Sequence, residues 1–451
     1  MVSLSFYGGV GEIGGNKILL QDGDTRIWLD FGQSFTMGEE YYTGWLKPRN
    51  KSILKDLFEF GLLPEIDGLY DPELLSCTEL GECEPEFDGV LLSHAHSDHV
   101  NHVSYLDPRI PVYLGSGTRL FMEAMEKTSA FASYGKRDYR CFRTGEKFNV
   151  GCVEVEPIHV DHSIPGAYGY ILHTSEGAVV YTGDLRAHGT RADMTEEFLK
   201  AASSVEPMAM VSEGTRMART EKRRNLSEPE VLDGVRKVCQ NSGGMPVLFT
   251  HGPRDMDRLR TFYSASVECG RRLVVDTKTA HLLMRLVDDE HLDLPDPKLD
   301  ENIGVYYRKK RSGTYVEKDY YVWEREFMDR MVTPENIRRN PGGYSVNLGF
   351  TSFGELIDIR PIPGTPFIYS MSEAFDEENL EEHVMHNWLE HFGLKYIQLH
   401  ASGHLSREEL VEAINRVNPK KLFPVHTESP GLFRDDFSNV TLPELGGSYK
   451  I

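Results

Sequence analysis

The sequence predicts an α/β (α+β) fold in which stacked sheets with helices outside accompany a separate α/β domain of parallel strands. Three observations predict it: a strand-dense N-terminal part to about residue 207, helices alternating with strands from about 208, and a return to strand, helix and strand at the end. In the first part, short β runs alternate with Gly and Asp turns: "LSFYGGV", "NKILLQ", "TRIWLDFG", "GVLLSHAH", "PVYLGS", "CVEVEPIHV", "GYILHT" and "AVVYTGDL". "QDGD" between the second and third, with Asp-Gly at its centre, is a hairpin signal. "GTRLFMEAMEK" reads as a short helix. Strands this dense, with few helices between, stack as sheets with helices outside. From about 208, "SEPEVLDGVRKVCQNSG", "PRDMDRLRTFYSASVECG" and "TAHLLMRLVDDEH" carry helical periodicity, punctuated by strands "MPVLFTH", "RRLVVDT" and "FIYSMS". At the end, "KYIQLHAS" and "KKLFPVHTES" read as strands around the helix "SREELVEAINRVNP", with Ser406 and Glu409 forming a capping box.

Length and composition bound the rest. A chain of 451 residues predicts two or three domains. The formal net charge of −21 promises solubility and, taken alone, argues against a polyanionic partner. The six cysteines, at 77, 83, 141, 152, 239 and 269, form no C-x-x-C pair and read as reduced thiols. Met1 to Gly15 has neither a basic n-region nor an apolar h-region, and no apolar run approaches membrane-spanning length. The expectation is a soluble cytoplasmic protein with no membrane partner.

The chemistry concentrates in "GVLLSHAHSDHVNHVSYL", where an apolar run empties into His94, His96, Asp98 and His99. On a strand His94 and His96 would share one face, and a loop beyond can wrap all four side chains around one pocket. Imidazole with carboxylate is the donor set of catalytic zinc, whereas structural zinc favours thiolates. A surface loop merely rich in His and Asp is the bland alternative, and this spacing directly after an apolar strand argues against it. A catalytic zinc keeps about three protein ligands plus water, so four candidates in so short a span imply two ions and further ligands elsewhere. His162 in "VDHSIPGA", Asp184 in "YTGDLR" and His426 in "FPVHTES" each stand where a strand stops. Singly each could be a satisfied structural polar group; in this order they point to one site.

At these residues the sequence resembles a known family. "HAHSDH", "DHSIPGA", "TGDL" and "WLDFG" resemble the metallo-β-lactamase fold motifs in their usual order. "HASGH" and "PVH" resemble the β-CASP subfamily of nucleic-acid-processing enzymes, nearest to ribonuclease J, and "GGVGEIGGN" strengthens the match. The resemblance implies an αββα sandwich over 1–207, a β-CASP domain over 208–410 and completion of the sandwich by 411–451. It implies His94, His96, His162 and Asp184 on one zinc and Asp98, His99, Asp184 and His426 on the other, Asp184 bridging. Asp30 would hold the ligand loop from behind. Asp98, His404 and Glu213 would be catalytic, Glu213 matching the acidic motif at the opening of the β-CASP domain. His400, Ser402 and His404 would contact phosphate, with His404 placed to protonate the leaving group. The implied activity is a ribonuclease with two Zn2+ per chain, Mn2+ or Mg2+ as substitutes, acting on single-stranded RNA 5′ to 3′, with endonuclease action as a second mode. The alternatives are a DNA-acting β-CASP nuclease, against which His426 weighs, a catalytically silent scaffold subunit, and a small-molecule hydrolase. The chain ends soon after "PVH", so the C-terminal domain many relatives carry is expected to be missing, with dimerisation through another surface still open.

Other features read differently. Gly9, Gly11 and Gly14 spell the dinucleotide fingerprint G-x-G-x-x-G, but a β-hairpin follows where a helix is required, so a tight turn near the metal pocket is expected. His102 and His159 read as structural, and His383 and His386 as solvent-facing. "TEKRRN" and "YYRKKRSG" are either solvated charge or a basic strip that would answer the objection from net charge. "TSFGELIDIR" and "YSMSEAFDEE" depart from the family's glycine- and serine-rich segments, which bears on a 5′-phosphate pocket. Residues 33–87 fit neither pattern and read as a structured insertion near the site.

Overall fold

A computed structural model of the protein describes residues 1–43, 45–129, 132–218, 225–372 and 380–451. The chain divides into two compact units. The first comprises 1–187, 191–224 and 403–451, and the second 188–190 and 225–402.

The first unit is built on two sheets. One has seven strands in the order Ser448–Lys450, Val2–Phe6, Ile18–Asp22, Thr25–Leu29, Gly89–Leu92, Val112–Gly115 and Tyr139–Phe142, antiparallel in its first half and parallel from Thr25–Leu29 onward. The other has six: Lys421–Pro424, Ala209–Ser212, Gly177–Tyr181, Tyr168–Thr174, Val153–His159 and Phe148–Val150. Alternation along the strands decides which side chains meet. Val2, Leu4 and Phe6 of one sheet join Val153, Val155, Tyr170, Leu172 and Val179 of the other in a common core. Ile171 and Val180 point the opposite way, under Phe198 and Leu199 of the helix Ala192–Ser204 and Leu410 and Ile414 of the helix Arg407–Val417. The helix Ser116–Thr128 packs on the seven-stranded sheet. The layers are therefore helix, sheet, sheet and helix, as expected.

The second unit is a seven-stranded, all-parallel sheet in the order Met331–Val332, Ile303–Tyr306, Arg272–Asp276, Tyr344–Asn347, Val247–His251, Pro366–Ser370 and Lys395–Gln398. Such a sheet needs cover on both faces. Ile337, Leu356, Met385 and Leu389 cover one, and Phe262 of the helix Met256–Glu268 stacks on Phe249 at 3.8 Å on a central strand.

The units divide elsewhere than at 208 and 410. Ala209–Ser212 pairs with Gly177–Tyr181 and Lys421–Pro424, which ties 208–224 to the first unit and leaves Glu213 inside it. Residues 403–410 also belong to the first unit. The hairpin forms with Asp22 paired to Thr25, so its loop residues are Gly23, at φ +59°, and Asp24. Ser406 and Glu409 form the capping box on Arg407–Val417.

The insertion is ordered by short helices, Ile53–Glu59 among them, and Asp71 N and Asp107 N bond to the carbonyls of Tyr105 and Leu69, tying it to the segment after the His94–His99 run. In "YYRKKRSG", Lys310 pairs with Glu324 at 2.7 Å and Arg308 donates to Ser352 at 2.6 Å, so part of that charge is used within the fold. "TEKRRN" lies outside the described residues except for Asn225. His383 and His386 are exposed on the helix Leu380–His391. All six cysteines are free, and no helix among the described residues is long and apolar enough to cross a membrane.

Gly32 in "WLDFG" shows how tightly the sheet end is packed. A Cβ there would lie 1.6 Å from the carbonyl oxygen of Asp98 and 2.4 Å from the backbone nitrogen of His99. Gly32→Ala is expected to cost about 3 kcal/mol, as overpacking against backbone does, read as a lower midpoint of urea unfolding.

Candidate metal centre

The strand Gly89–Leu92 is buried throughout and stops before the polar run. His94 and His96 therefore lie in the loop beyond and not on a shared strand face, while Asp98 and His99 stand on the one-turn helix Ser97–Val100. His162 follows Val153–His159, Asp184 follows Gly177–Tyr181 and His426 follows Lys421–Pro424. All seven belong to the first unit.

They converge in two groups that share Asp184. In the first, His96 Nδ1 lies 3.0 Å from His94 Nε2 and 3.1 Å from His162 Nε2. Asp184 Oδ2 is 3.5 Å from His94 Nε2 and 4.0 Å from His162 Nε2. In the second, Asp184 Oδ2 is 3.2 Å from His99 Nε2 and 3.7 Å from His426 Nε2, and Asp98 Oδ2 is 3.0 Å from His426 Nε2. Within each group one donor atom from every residue falls inside 4.8 Å of the others.

These donors fit a cation. His99 Nε2 and Asp184 Oδ1 are buried without a hydrogen-bond partner, an expensive arrangement unless another species meets them. The set is imidazole and carboxylate with no thiolate, as catalytic zinc prefers. His162 Nδ1 sits 2.6 Å from the Gly403 carbonyl, to which only an N–H can donate, so its Nε2 presents a lone pair to the cluster.

Electrostatics separates the groups. Burial pushes the His94 and His162 imidazoles well below their ordinary range, with neighbouring imidazoles adding to it. Burial also opposes charge on His99 and His426, yet Asp184 and the carboxylates beside them win; His426 is held at about 9 and His99 higher than usual. For Asp98 and Asp184 burial acts upward, and the imidazoles of His99 and His426 outweigh it, holding both carboxyls low. The second group attracts positive charge strongly.

Supporting residues fix the ligand candidates. Asp30, at φ +57°, accepts from Ser93 N and Ser93 Oγ at 2.7 Å each, from Tyr181 at 2.5 Å, and faces His99 Nδ1 at 2.7 Å. Glu213 is buried; its carboxylate accepts from Leu185 N at 3.0 Å and Thr215 Oγ1 at 2.8 Å and faces His404 Nδ1 at 2.9 Å. Glu213 thus faces His404 from within the first unit. Burial lowers His404, but Glu213 and Asp184 bring it above its ordinary range. Thr215 Oγ1 also lies 2.8 Å from His426 Nδ1. Ser93, Thr215, Tyr181 and Gly403 were not singled out in the sequence, although Ser93 and Gly403 adjoin residues that were.

His400 and Ser402 fall in the second unit. There His400 Nδ1 is 3.2 Å from Arg258 Nη1, and Ser402 N donates to Asn225 at 3.2 Å. His159 stacks on Tyr168 at 4.3 Å, and burial pushes the His102 imidazole well down, as suits structural histidines.

Layers, strand-end placement and paired donor clusters together define a metallo-β-lactamase-fold protein. Residues 71–220 match the Beta-lactamase superfamily domain, and residues 394–432 match the Zn-dependent metallo-hydrolase RNA specificity domain. Along most of its length the chain is ribonuclease J-like. It is 24% identical to Ribonuclease J of Sinorhizobium meliloti over 82% of this chain and 62% of that protein. It is 24% identical to Ribonuclease J2 of Bacillus subtilis over 95% and 69%, and 22% identical to Ribonuclease J of Pyrococcus abyssi over 95% and 90%. It spans 56% of Ribonuclease J of Helicobacter pylori strain J99. The chain thus spans less than two thirds of the length of the Sinorhizobium meliloti and Helicobacter pylori relatives. A crystal structure of a protein of unknown function from Enterococcus faecalis V583 shares the fold, with a TM-score of 0.80 at 22% identity over 99% of both chains.

Asp30→Asn is the sharpest test of the supporting shell. Asn tolerates the left-handed backbone, but its amide turns a donor toward His99 Nδ1 and moves the ring's proton to Nε2. Metal affinity is expected to fall about 10–100-fold with the fold retained, measured by chelator competition and circular dichroism.

Proposed function

We propose that this protein is a dizinc ribonuclease that hydrolyses phosphodiester bonds of single-stranded RNA, working from the 5′ end, with internal cleavage as a second mode. The observation that carries the reading is the convergence of five imidazoles and two carboxylates around one shared carboxylate oxygen, Asp184 Oδ2. The match of 394–432 to an RNA specificity domain and the likeness to ribonuclease J support RNA as the substrate.

On this reading His94, His96, His162 and Asp184 hold one cation, and Asp98, His99, Asp184 and His426 the other. The imidazole-rich set suits Zn2+, tolerates Mn2+ and is less suited to Mg2+, which favours oxygen. A zinc pair held here supplies an activated water near neutral pH and compensation for charge on the phosphoryl oxygens. The chain's own groups do the rest. Asp30 keeps His99 in the tautomer with Nε2 facing the cluster, and the Gly403 carbonyl does the same for His162. Asp98, beside His426, is kept ionised in the site. Glu213 accepts the Nδ1 proton of His404, which leaves Nε2 to carry the proton given to the departing 3′ oxygen. His400 and Ser402 are assigned to phosphate by the family resemblance of "HASGH" alone.

End-labelled RNAs bearing a 5′-monophosphate, triphosphate or hydroxyl, digested beside DNA of the same sequence, test this. Mononucleotide release favouring the monophosphate is expected, with chelation abolishing it and His404→Ala slowing it about 10²–10⁴-fold. Preferential cleavage of DNA would favour the DNA-acting reading. Two bound zincs with no cleavage of either would favour a scaffold role.

A further inference from the structure

The glycine-rich loop between Val2–Phe6 and Ile18–Asp22 lies against the second group of ligand candidates. Gly9 O accepts from His426 N at 2.8 Å, and Asn16 N donates to Asp98 O at 3.2 Å. Gly14, at φ +87°, sits so close that a Cβ there would be 2.8 Å from Asp98 Cβ and 3.3 Å from its Oδ2. Both residues so held, Asp98 and His426, belong to the second group, and neither is in the first.

One side chain closes this loop on itself. Glu12 is only 2% exposed. Its Oε1 accepts from Gly9 N at 3.2 Å and its Oε2 from the Ser34 hydroxyl, while Ser34 pairs through the backbone with Gly14. Lys17, also buried, donates to Gly15 O at 3.0 Å and offsets the Glu12 charge. A buried carboxylate is costly unless it is paired and hydrogen-bonded, and here one arm reaches Gly9, whose carbonyl meets His426 N, and the other the hydroxyl of Ser34, whose backbone pairs with Gly14 beside Asp98.

We propose that Glu12 is a positioning residue for the second cation, its two hydrogen bonds pinning Gly9 and Ser34 so that His426 and Asp98 meet at the distance that cation requires. This rests on the ligand reading above. It assigns a role to the "GGVGEIGGN" motif, which the hydrolytic chemistry leaves unused, and makes it specific to one of the two sites.

The test is zinc binding to the full chain, by metal content after desalting and by chelator competition. Wild type is expected to hold two zincs, and Glu12→Ala to lose affinity about 10–100-fold at one site only, with unchanged far-ultraviolet circular dichroism. Glu12→Gln, which retains an acceptor for Gly9 N and a polar partner for Ser34, is expected to recover most of the loss. Ser34→Ala deletes one arm alone and should weaken the same site to a smaller degree, which keeps the idea testable should Glu12→Ala not fold. Two wild-type sites in Glu12→Ala, equal weakening of both sites in a folded variant, or no recovery in Glu12→Gln would each overturn the proposal alone. A wild-type chain that takes up no zinc would overturn the metal reading and this proposal with it.

Discussion

One atom organises the first unit. Asp184 Oδ2 lies between 3.2 and 4.0 Å from four imidazole nitrogens drawn from three separate stretches of chain. Such a concentration of buried donors is unfavourable by itself, because His99 Nε2 and Asp184 Oδ1 have been taken out of water with no hydrogen-bond partner to meet them. It persists because the surrounding shell leaves the side chains little else to do. Ser93, Tyr181 and His99 meet on Asp30, Gly403 meets His162, and Thr215 meets both Glu213 and His426. A divalent cation is the species whose charge resolves the arrangement.

The sheets make that convergence geometrically cheap. His94, His162, Asp184 and His426 stand just past the last residue of a strand, and His96, Asp98 and His99 follow in the loop and one-turn helix beyond Gly89–Leu92, so the hydrophobic alternation that stacks the sheets also brings those strand ends together. Where a side chain must turn inward, the backbone leaves ordinary territory. Asp30 and His426 both take positive φ, +57° and +53°. A non-glycine residue there costs on the order of 1–3 kcal/mol, and both are held by contacts on several sides. Strain of this kind placed at two residues of one cluster marks where the fold has been shaped around the chemistry.

The legible part of this molecule was its chemistry and the regular half of its architecture. The seven donors, the loop carboxylate Asp30 and the helix cap at Ser406 announce themselves because their residue types are rare in such spacing. Less legible were elements defined by partners distant in sequence. Ala209–Ser212 is four buried residues with no alternation, so nothing in its own pattern separates it from the α/β stretch that follows; its pairing with Lys421–Pro424 does. For the same reason a boundary at 208 falls before the one the contacts draw, between 224 and 225. His94 and His96 looked like strand positions because the strand's last residue, Leu92, precedes them by only two and four residues. The roles of Thr215, Ser93 and the Gly403 carbonyl were hidden because a hydroxyl or a peptide carries no signal until its neighbour is known.

The hydroxyl of Thr215 links two imidazoles, His404 and His426, that sequence treats separately. It donates to Glu213, the carboxylate that orients His404, and it lies against Nδ1 of His426. An Oγ1 proton spent on Glu213 leaves a lone pair facing His426, which favours an N–H at Nδ1 and hence a lone pair at Nε2, toward Asp98 and Asp184. The same hydroxyl that steadies the Glu213–His404 pair therefore also sets which ring nitrogen of His426 carries the lone pair. Because the network is buried, each member's orientation depends on its neighbour's. The orientations of Glu213, His426 and Asp98 are thereby set by one chain of contacts through Thr215, with Glu213 at one end and Asp98 at the other.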